Sequence, residues 1–263
     1  MITTILGCGT IGKAVLAANL ANGGEPAHFR AVTSRPERAE LVADEFGVVA
    51  GVNARVLVHD ADLVVLGVKP HQLTDVLKSV ASDLAPGVTL LSLAAGVTSA
   101  AIEEAIPGAH VIRAMPNLGA RIGKSATSVS YGALATEADM ARARQVLEPA
   151  GTVTEVPEHL INAVIGVAGS APAWFLTVLE AVIDAGVANG LSYDAATQMA
   201  ASTMEATAAL VKETGTDPGV LRKAVCSPGG TTIAGMAAAE QAGLRAATMA
   251  AVQAAHDRGV ELS

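Results

Sequence analysis

The chain has 263 residues, 51% of them hydrophobic and 16% charged, with a formal net charge of −8 at pH 7. This balance excludes intrinsic disorder, which needs low hydrophobicity and high charge. The acidic sign also excludes the basic footprint of a nucleic-acid or anionic-membrane binder.

In chain order, residues 1–6 read as a strand and 10–22 as a helix. A second strand is expected over 28–33. Ser34-Arg35-Pro36-Glu37 then starts a helix, with Ser34 as cap and Glu37 three residues on. The apolar run 62–68 is of buried-strand type and leads into a helix from about His71. Further strands are expected at 88–93 and 110–113, and Thr136-Glu137-Ala138-Asp139 opens another helix by similar cap chemistry. Repeated strand–helix units imply a parallel sheet with helices on both faces.

After about Pro157 the strand-like alternation gives way to Ala-rich helical stretches at 160–189, 193–214, 218–225, 231–242 and 245–262. Ser192 and Asp217 are expected caps, and Gly190 and Gly215 expected stops. The uncharged stretch 160–179 is long enough to suggest a membrane span. It contains Asn162, Gly166, Gly169, Ser170 and Pro172, and it reads instead as a helix buried in a core or a dimer. Residues 2–6 are too short for a secretory signal and meet a glycine turn at once. Two cysteines, Cys8 and Cys226, fit a reducing compartment, so a cytoplasmic location is expected. The six histidines show no ligand spacing, and no metal site is expected.

Gly7-Cys8-Gly9-Thr10-Ile11-Gly12 is G-x-G-x-x-G, placed directly after the first strand and opening the first helix. Gly7 makes the tight turn, Gly9 lets the backbone approach a pyrophosphate, and Gly12 lets helix and strand pack closely. The helix start at Thr10 and Ile11 turns free N–H groups toward the phosphates. A dinucleotide site is therefore expected, in a Rossmann-like domain over 1–157 that precedes an all-helical domain over 158–263. The expected fold class is α/β with this second, helical domain.

An NAD site places an acid about 20 residues beyond the glycines, to hold the ribose 2′-hydroxyl. Here the second strand ends without an acid, and Ser34 and Arg35 follow. A hydroxyl and a guanidinium suit a 2′-phosphate, so NADPH is expected, with NADH bound more weakly. The alternative is that Arg35 and Arg38 merely solvate a surface. Val68, Lys69 and Pro70 end another strand, where crevices form in open α/β sheets. Ala95 and Gly96, and Asn117 after Met115-Pro116, stand at two further strand ends with room for a flat ring.

Cys226-Ser227-Pro228-Gly229-Gly230-Thr231-Thr232-Ile233 is a turn that runs straight into a helix. Successive N–H groups there make either an anion nest or an ordinary capped turn, and the turn alone does not choose between them.

Taken together, these segments resemble pyrroline-5-carboxylate reductases. The matching residues are Gly7 to Gly12, Val68-Lys69-Pro70, Ala94-Ala95-Gly96-Val97-Thr98, Arg113-Ala114-Met115-Pro116-Asn117, Gly169-Ser170-Ala171-Pro172-Ala173 and Ser227-Pro228-Gly229-Gly230-Thr231-Thr232-Ile233. The resemblance implies hydride transfer from NADPH to the C=N carbon of a cyclic imino acid, giving L-proline from 1-pyrroline-5-carboxylate. It implies that Ser227, Gly229, Gly230 and Thr231 bind the substrate carboxylate and that Thr232, the expected catalytic residue, hydrogen-bonds the ring nitrogen. It further implies a homodimer through interlocked helical domains, with each loop completing the partner's site, and often a decamer of five dimers. Two departures stand out: Leu118-Gly119 where the family has Thr-Pro, and Trp174 where it has Tyr. They leave two other readings open, a reductase of six-membered or modified imines with a looser loop, and a non-catalytic NADP(H)-binding sensor.

Overall fold

The structure is a computed structural model and describes residues 1–262. The chain alternates β1 (Thr3–Leu6), α1 (Thr10–Ala21), β2 (Phe29–Val32), α2 (Pro36–Phe46), β3 (Val49–Gly51), α3 (Ala54–Val58), β4 (Leu63–Leu66), α4 (Pro70–Val80), β5 (Thr89–Ser92), α5 (Ser99–Ala105) and β6 (His110–Met115). β7 (Ser125–Tyr131), α6 (Glu137–Leu147) and β8 (Gly151–Glu155) complete one sheet, ordered β3-β2-β1-β4-β5-β6-β7-β8. The order reverses at β1, where β2 lies on one side and β4 on the other. Such a switch point opens a crevice at the carboxyl ends of the strands.

The central strands β1, β4 and β5 are buried at every position because both faces are covered. Ile5, Leu63, Val65 and Leu91 pack into one core, while Leu6, Val64, Leu66 and Leu90 pack into the other. One-residue alternation thus feeds two cores from the same three strands, β1, β4 and β5.

The sheet is not wholly parallel, contrary to expectation: β6 and β7 pair antiparallel, with Ala114 opposite Val129. β7 is Ser-Ala-Thr-Ser-Val-Ser-Tyr, too polar to show a strand's apolar alternation, yet Ser128 and Ser130 are buried. β3 and β8 were equally hidden, since β3 has three residues and β8 is mostly exposed. The expected Ser34 cap is also corrected. The N-cap of α2 is Arg35, which makes no side-chain cap bond, and Pro36 starts the helix. Thr136 does form a full capping box with Asp139.

Helices follow: α7 (Ile161–Val164), a π-helical segment Ile165–Gly169, α8 (Ala171–Ala188), α9 (Tyr193–Thr214), α10 (Pro218–Ala224), α11 (Thr231–Gln241) and α12 (Leu244–Glu261). Ser192 and Asp217 cap α9 and α10 as expected, and Gly215 ends α9 in the left-handed conformation. The single helix expected over 160–189 is divided by the π segment. Residues 158–188 still contain one helical stretch long and apolar enough to cross a membrane by length and composition.

The chain forms two compact units, one of residues 1–169 joined by the end of α12 from Ala255 onward, the other of residues 170–254. In the second unit burial is sparse. Of the 22 residues of α9, Ala196 is the buried one and Met199 and Leu210 are exposed, as are Phe175, Leu176 and Val182 of α8. A groove of about 860 Å³ between α8 and α9 is lined almost wholly by apolar side chains.

Candidate active site

At the β1 switch point, two backbones meet with no side chain between them. Gly7 has φ +95°, and a Cβ there would stand 2.6 Å from the Val68 nitrogen. From the other side, a Cβ on Gly67 would stand 2.5 Å from the Gly7 oxygen. Only glycine fits at both positions, so the turn after β1 lies directly on the turn after β4. Gly67 was not singled out in the sequence, although it precedes Val68-Lys69-Pro70 there. The Gly7 and Cys8 N–H groups donate to the Val32 carbonyl at 3.1 and 3.0 Å, tying the same turn to β2.

These turns floor a cleft of about 590 Å³, lined by Gly7, Cys8, Gly9, Ser34, Arg38, Val68 and Lys69 among others. The N-cap of α1 is Gly9, which has no side chain to cap the first turn. The first N–H groups of a helix lack intrahelical partners, so those of Thr10, Ile11 and Gly12 are left for an anion. Gly12 itself is buried. Arg35 lies outside the cleft lining, whereas Arg38, one turn further along α2, belongs to it. The Lys69 side chain is exposed and Pro70 is the first residue of α4. Burial pushes the Cys8 thiol up to about 11 despite the nearby Lys13 charge. Cys8 therefore stays protonated at neutral pH and is no nucleophile.

Ala95, Gly96 and Asn117 do not line this cleft. The Asn117 amide is committed at both ends. Its Nδ2 donates to the Ala168 carbonyl at 3.1 Å, and its Oδ1 accepts from the Gly119 N–H at 3.0 Å. Leu118–Ile122 is a short 3-10 helix with Asn117 as N-cap. A Cβ on Gly119 would clash with the Lys124 carbonyl. The looser loop expected from Leu118-Gly119 is therefore corrected, because Gly119 is held by close backbone packing and its own N–H bond. Proline at 119 would remove that donor. Leu118 does not pack inward either, being 49% exposed.

In the helical unit, Ser227-Pro228-Gly229-Gly230 closes a turn in which the Gly230 N–H donates to the Ser227 carbonyl at 3.1 Å. Gly229 has φ +68°, as the third residue of a type II turn requires. The Gly230 N–H is thus used inside the turn. Gly230 is the N-cap of α11 and offers no side chain, so the first N–H groups of α11, from Thr231 onward, remain open beside the exposed Ser227 and Thr232 hydroxyls.

Two family descriptions match the chain: "NADP oxidoreductase coenzyme F420-dependent" over residues 2–96 and "Pyrroline-5-carboxylate reductase dimerisation" over residues 158–262. A pyrroline-5-carboxylate reductase of Methanosarcina acetivorans is 34% identical over 98% of this chain and 96% of its own length. That of Escherichia coli is 35% identical over 98% and 97%.

The chain belongs to the pyrroline-5-carboxylate reductase family.

The solved structure of the Coxiella burnetii pyrroline-5-carboxylate reductase superposes with a TM-score of 0.94 at 29% identity, covering 99% of this chain and 98% of that one. The Streptococcus pyogenes enzyme gives 0.87 at 30% identity, with 98% of each covered. The class is therefore that of an NAD(P)H-dependent oxidoreductase that acts on a small molecule as a homo-oligomer. The dimerisation match begins at residue 158, whereas the sheet unit ends at Gly169. Residues 158–169 thus belong to one half by sequence and to the other by packing. Their anchor is Glu158, which sequence reasoning missed. It accepts from the Ser99 N–H at 2.8 Å, from the Ser99 hydroxyl, and from Arg113 Nη1 at 3.0 Å. Burial pushes the Glu158 carboxyl upward, but the Ser99 and Arg113 contacts outweigh it and hold it below its ordinary value.

Proposed function

We propose that the protein reduces 1-pyrroline-5-carboxylate to L-proline with NADPH. The observation that carries this reading is the uncapped start of α11 behind the Ser227–Gly230 turn, in a chain that also carries the glycine-lined cleft at β1. Bound NADPH supplies the hydride. The chain's own work is to hold and orient a ring that is already electrophilic once its nitrogen is protonated. The Gly229 and Thr231 N–H groups and the Ser227 hydroxyl hold the carboxylate, and Thr232 Oγ1 hydrogen-bonds the ring nitrogen. Gly230 contributes by leaving the helix start bare, since its N–H is used in the turn.

The cleft fits a dinucleotide: Gly7 and Gly67 let the two turns pack backbone to backbone, Gly9 leaves the start of α1 bare, and Ser34 with Arg38 supplies a hydroxyl and a guanidinium for a 2′-phosphate. We assign the preference for NADPH over NADH chiefly to Arg38, with Arg35 at the helix N-cap in support. The exposed apolar surface of α8 and α9 favours a dimer as the smallest stable unit, with a decamer as its further assembly. Two free cysteines favour the cytoplasm.

The packing of Gly119 removes the motive for a six-membered-ring specialist, and a bare α11 start has no use in a cofactor sensor. NADPH oxidation with 1-pyrroline-5-carboxylate, run beside its six-membered analogue, tests all three. Turnover of the five-membered ring at least tenfold better is expected. No turnover of either with intact NADPH binding would favour the sensor.

A further inference from the structure

In an α-helix the N–H of residue 172 would bond the carbonyl of residue 168. Residue 172 is proline and has no N–H. The Ala168 carbonyl therefore has no helical donor where the π segment Ile165–Gly169 gives way to α8. Asn117 Nδ2 supplies one, at 3.1 Å, from a loop some fifty residues earlier in the chain. Its Oδ1 is meanwhile fixed by the Gly119 N–H, which holds the amide in the orientation that aims Nδ2 at Ala168. The Asn117 backbone N–H in turn donates to Ser125 Oγ at 3.1 Å. Four residues before Asn117, the buried Arg113 of β6 grips Glu158 at the other end of the same segment. Residues 158–169 are thus held at both ends from β6 and the loop that leaves it. π turns of this kind cost backbone regularity and recur at functional sites.

We propose that Asn117 is a positioning residue for the reaction, acting as a substitute for the missing Pro172 N–H and so fixing the turn from which α8 departs. It does so without touching cofactor or substrate. The link to catalysis rests on the imine-reduction reading; the structural part does not.

The test uses the full chain with Asn117→Asp, which keeps the acceptor for Gly119 and removes the donor for Ala168. Hydrogen exchange of amides 162–170 should quicken at least tenfold. NADPH affinity should stay within twofold. kcat/KM for 1-pyrroline-5-carboxylate should fall about tenfold, equivalent to about 1.4 kcal/mol. The decisive arm adds Pro172→Ala to Asn117→Asp. Alanine restores an N–H at position 172, so exchange protection and kcat/KM should both recover by at least half of the loss on a logarithmic scale. NADPH affinity falling in step with kcat/KM would make Asn117 a cofactor ligand and overturn the proposal. Unchanged exchange in Asn117→Asp, or loss that Pro172→Ala does not repair, would overturn it as well. A wild-type chain inactive on the imino acid would sink the functional reading alone, and exchange with its rescue would still decide the donor substitution.

Discussion

β4, Leu-Val-Val-Leu, is buried at all four positions, while α9 leaves nearly all of its 22 residues accessible, apolar Met199 and Leu210 among them. The difference is one of partners. β4 is covered on both faces by helices of its own chain, so the sheet unit is a finished core. The helical unit presents Met199, Leu210 and Val182 to solvent, and a single copy has no second layer to set against them. An exposed apolar area of that kind marks an interaction surface. One half of the molecule is thus stabilised by its own sequence neighbours, and the other needs a second copy of itself.

The largest expected effect breaks the sheet unit. Leu66→Ala removes a side chain 1% or less exposed and should cost about 2–5 kcal/mol, read as a drop in the denaturation midpoint at any protein concentration. Leu210→Ala should cost the isolated chain little, and its effect should grow with protein concentration as the oligomer forms. Equal, concentration-independent losses from both would abolish the contrast between the halves.

Next in size is Glu158→Ala. Arg113 is 4% exposed, and without Glu158 it becomes a buried, unpaired guanidinium. A loss of about 3 kcal/mol is expected, at the low end for a buried pair's broken partner because Glu158 is itself partly accessible. For the same reason a chain cut at Pro157, which removes Glu158, should bind NADPH poorly by failing to fold well rather than by losing contacts. Full thermal stability in such a fragment would count against the role given to Arg113.

Asp139 gives a pH signature to the sheet unit. Burial pushes its carboxyl up, but hydrogen bonds from Thr136, Thr89 and His110 win and hold it far below the ordinary 3.8. A depressed carboxylate contributes stability above its unfolded value and loses it as pH falls from there toward the folded value. Urea midpoints should therefore drop as pH is lowered below 3.8, and Asp139→Asn should flatten that slope.

Smaller effects sharpen the division of labour at the site. Arg38→Ala should weaken NADPH about tenfold, or about 1.4 kcal/mol, and leave NADH nearly unchanged. Arg35→Ala should do less. Parallel losses for both cofactors would take the 2′-phosphate away from this turn. Thr232→Ala should lower kcat/KM for the imino acid about fivefold without altering NADPH binding, since one neutral hydrogen bond is worth about 1 kcal/mol. Thr232→Ser, which keeps the hydroxyl, should stay within about threefold of the native chain. An unaffected Thr232→Ala would remove that hydroxyl from the reaction.

The chain's local chemistry determined a good deal by itself. The β1 glycines, the apolar runs of β4 and β5, the Thr136 box and the Ser192 and Asp217 caps are each spelled within a few residues, because turns, caps and buried strands are set by near neighbours. The helical stretch after residue 157 was equally legible from composition. What tertiary structure decided involves groups far apart in sequence. β7 is a strand because β6 and β8 pair with it, not because its serines prefer one. Gly67 matters through Gly7, 60 residues away, and Glu158 through Ser99 and Arg113. Arg38 in the first turn of α2 lines the cleft, and Arg35 at the helix N-cap does not. Leu118-Gly119 looked like slack in the chain and is held instead by Lys124 and Asn117. Proline at 172 lies inside the single helix expected over 160–189; only the fold sets the Asn117 amide against the carbonyl that its missing N–H leaves behind.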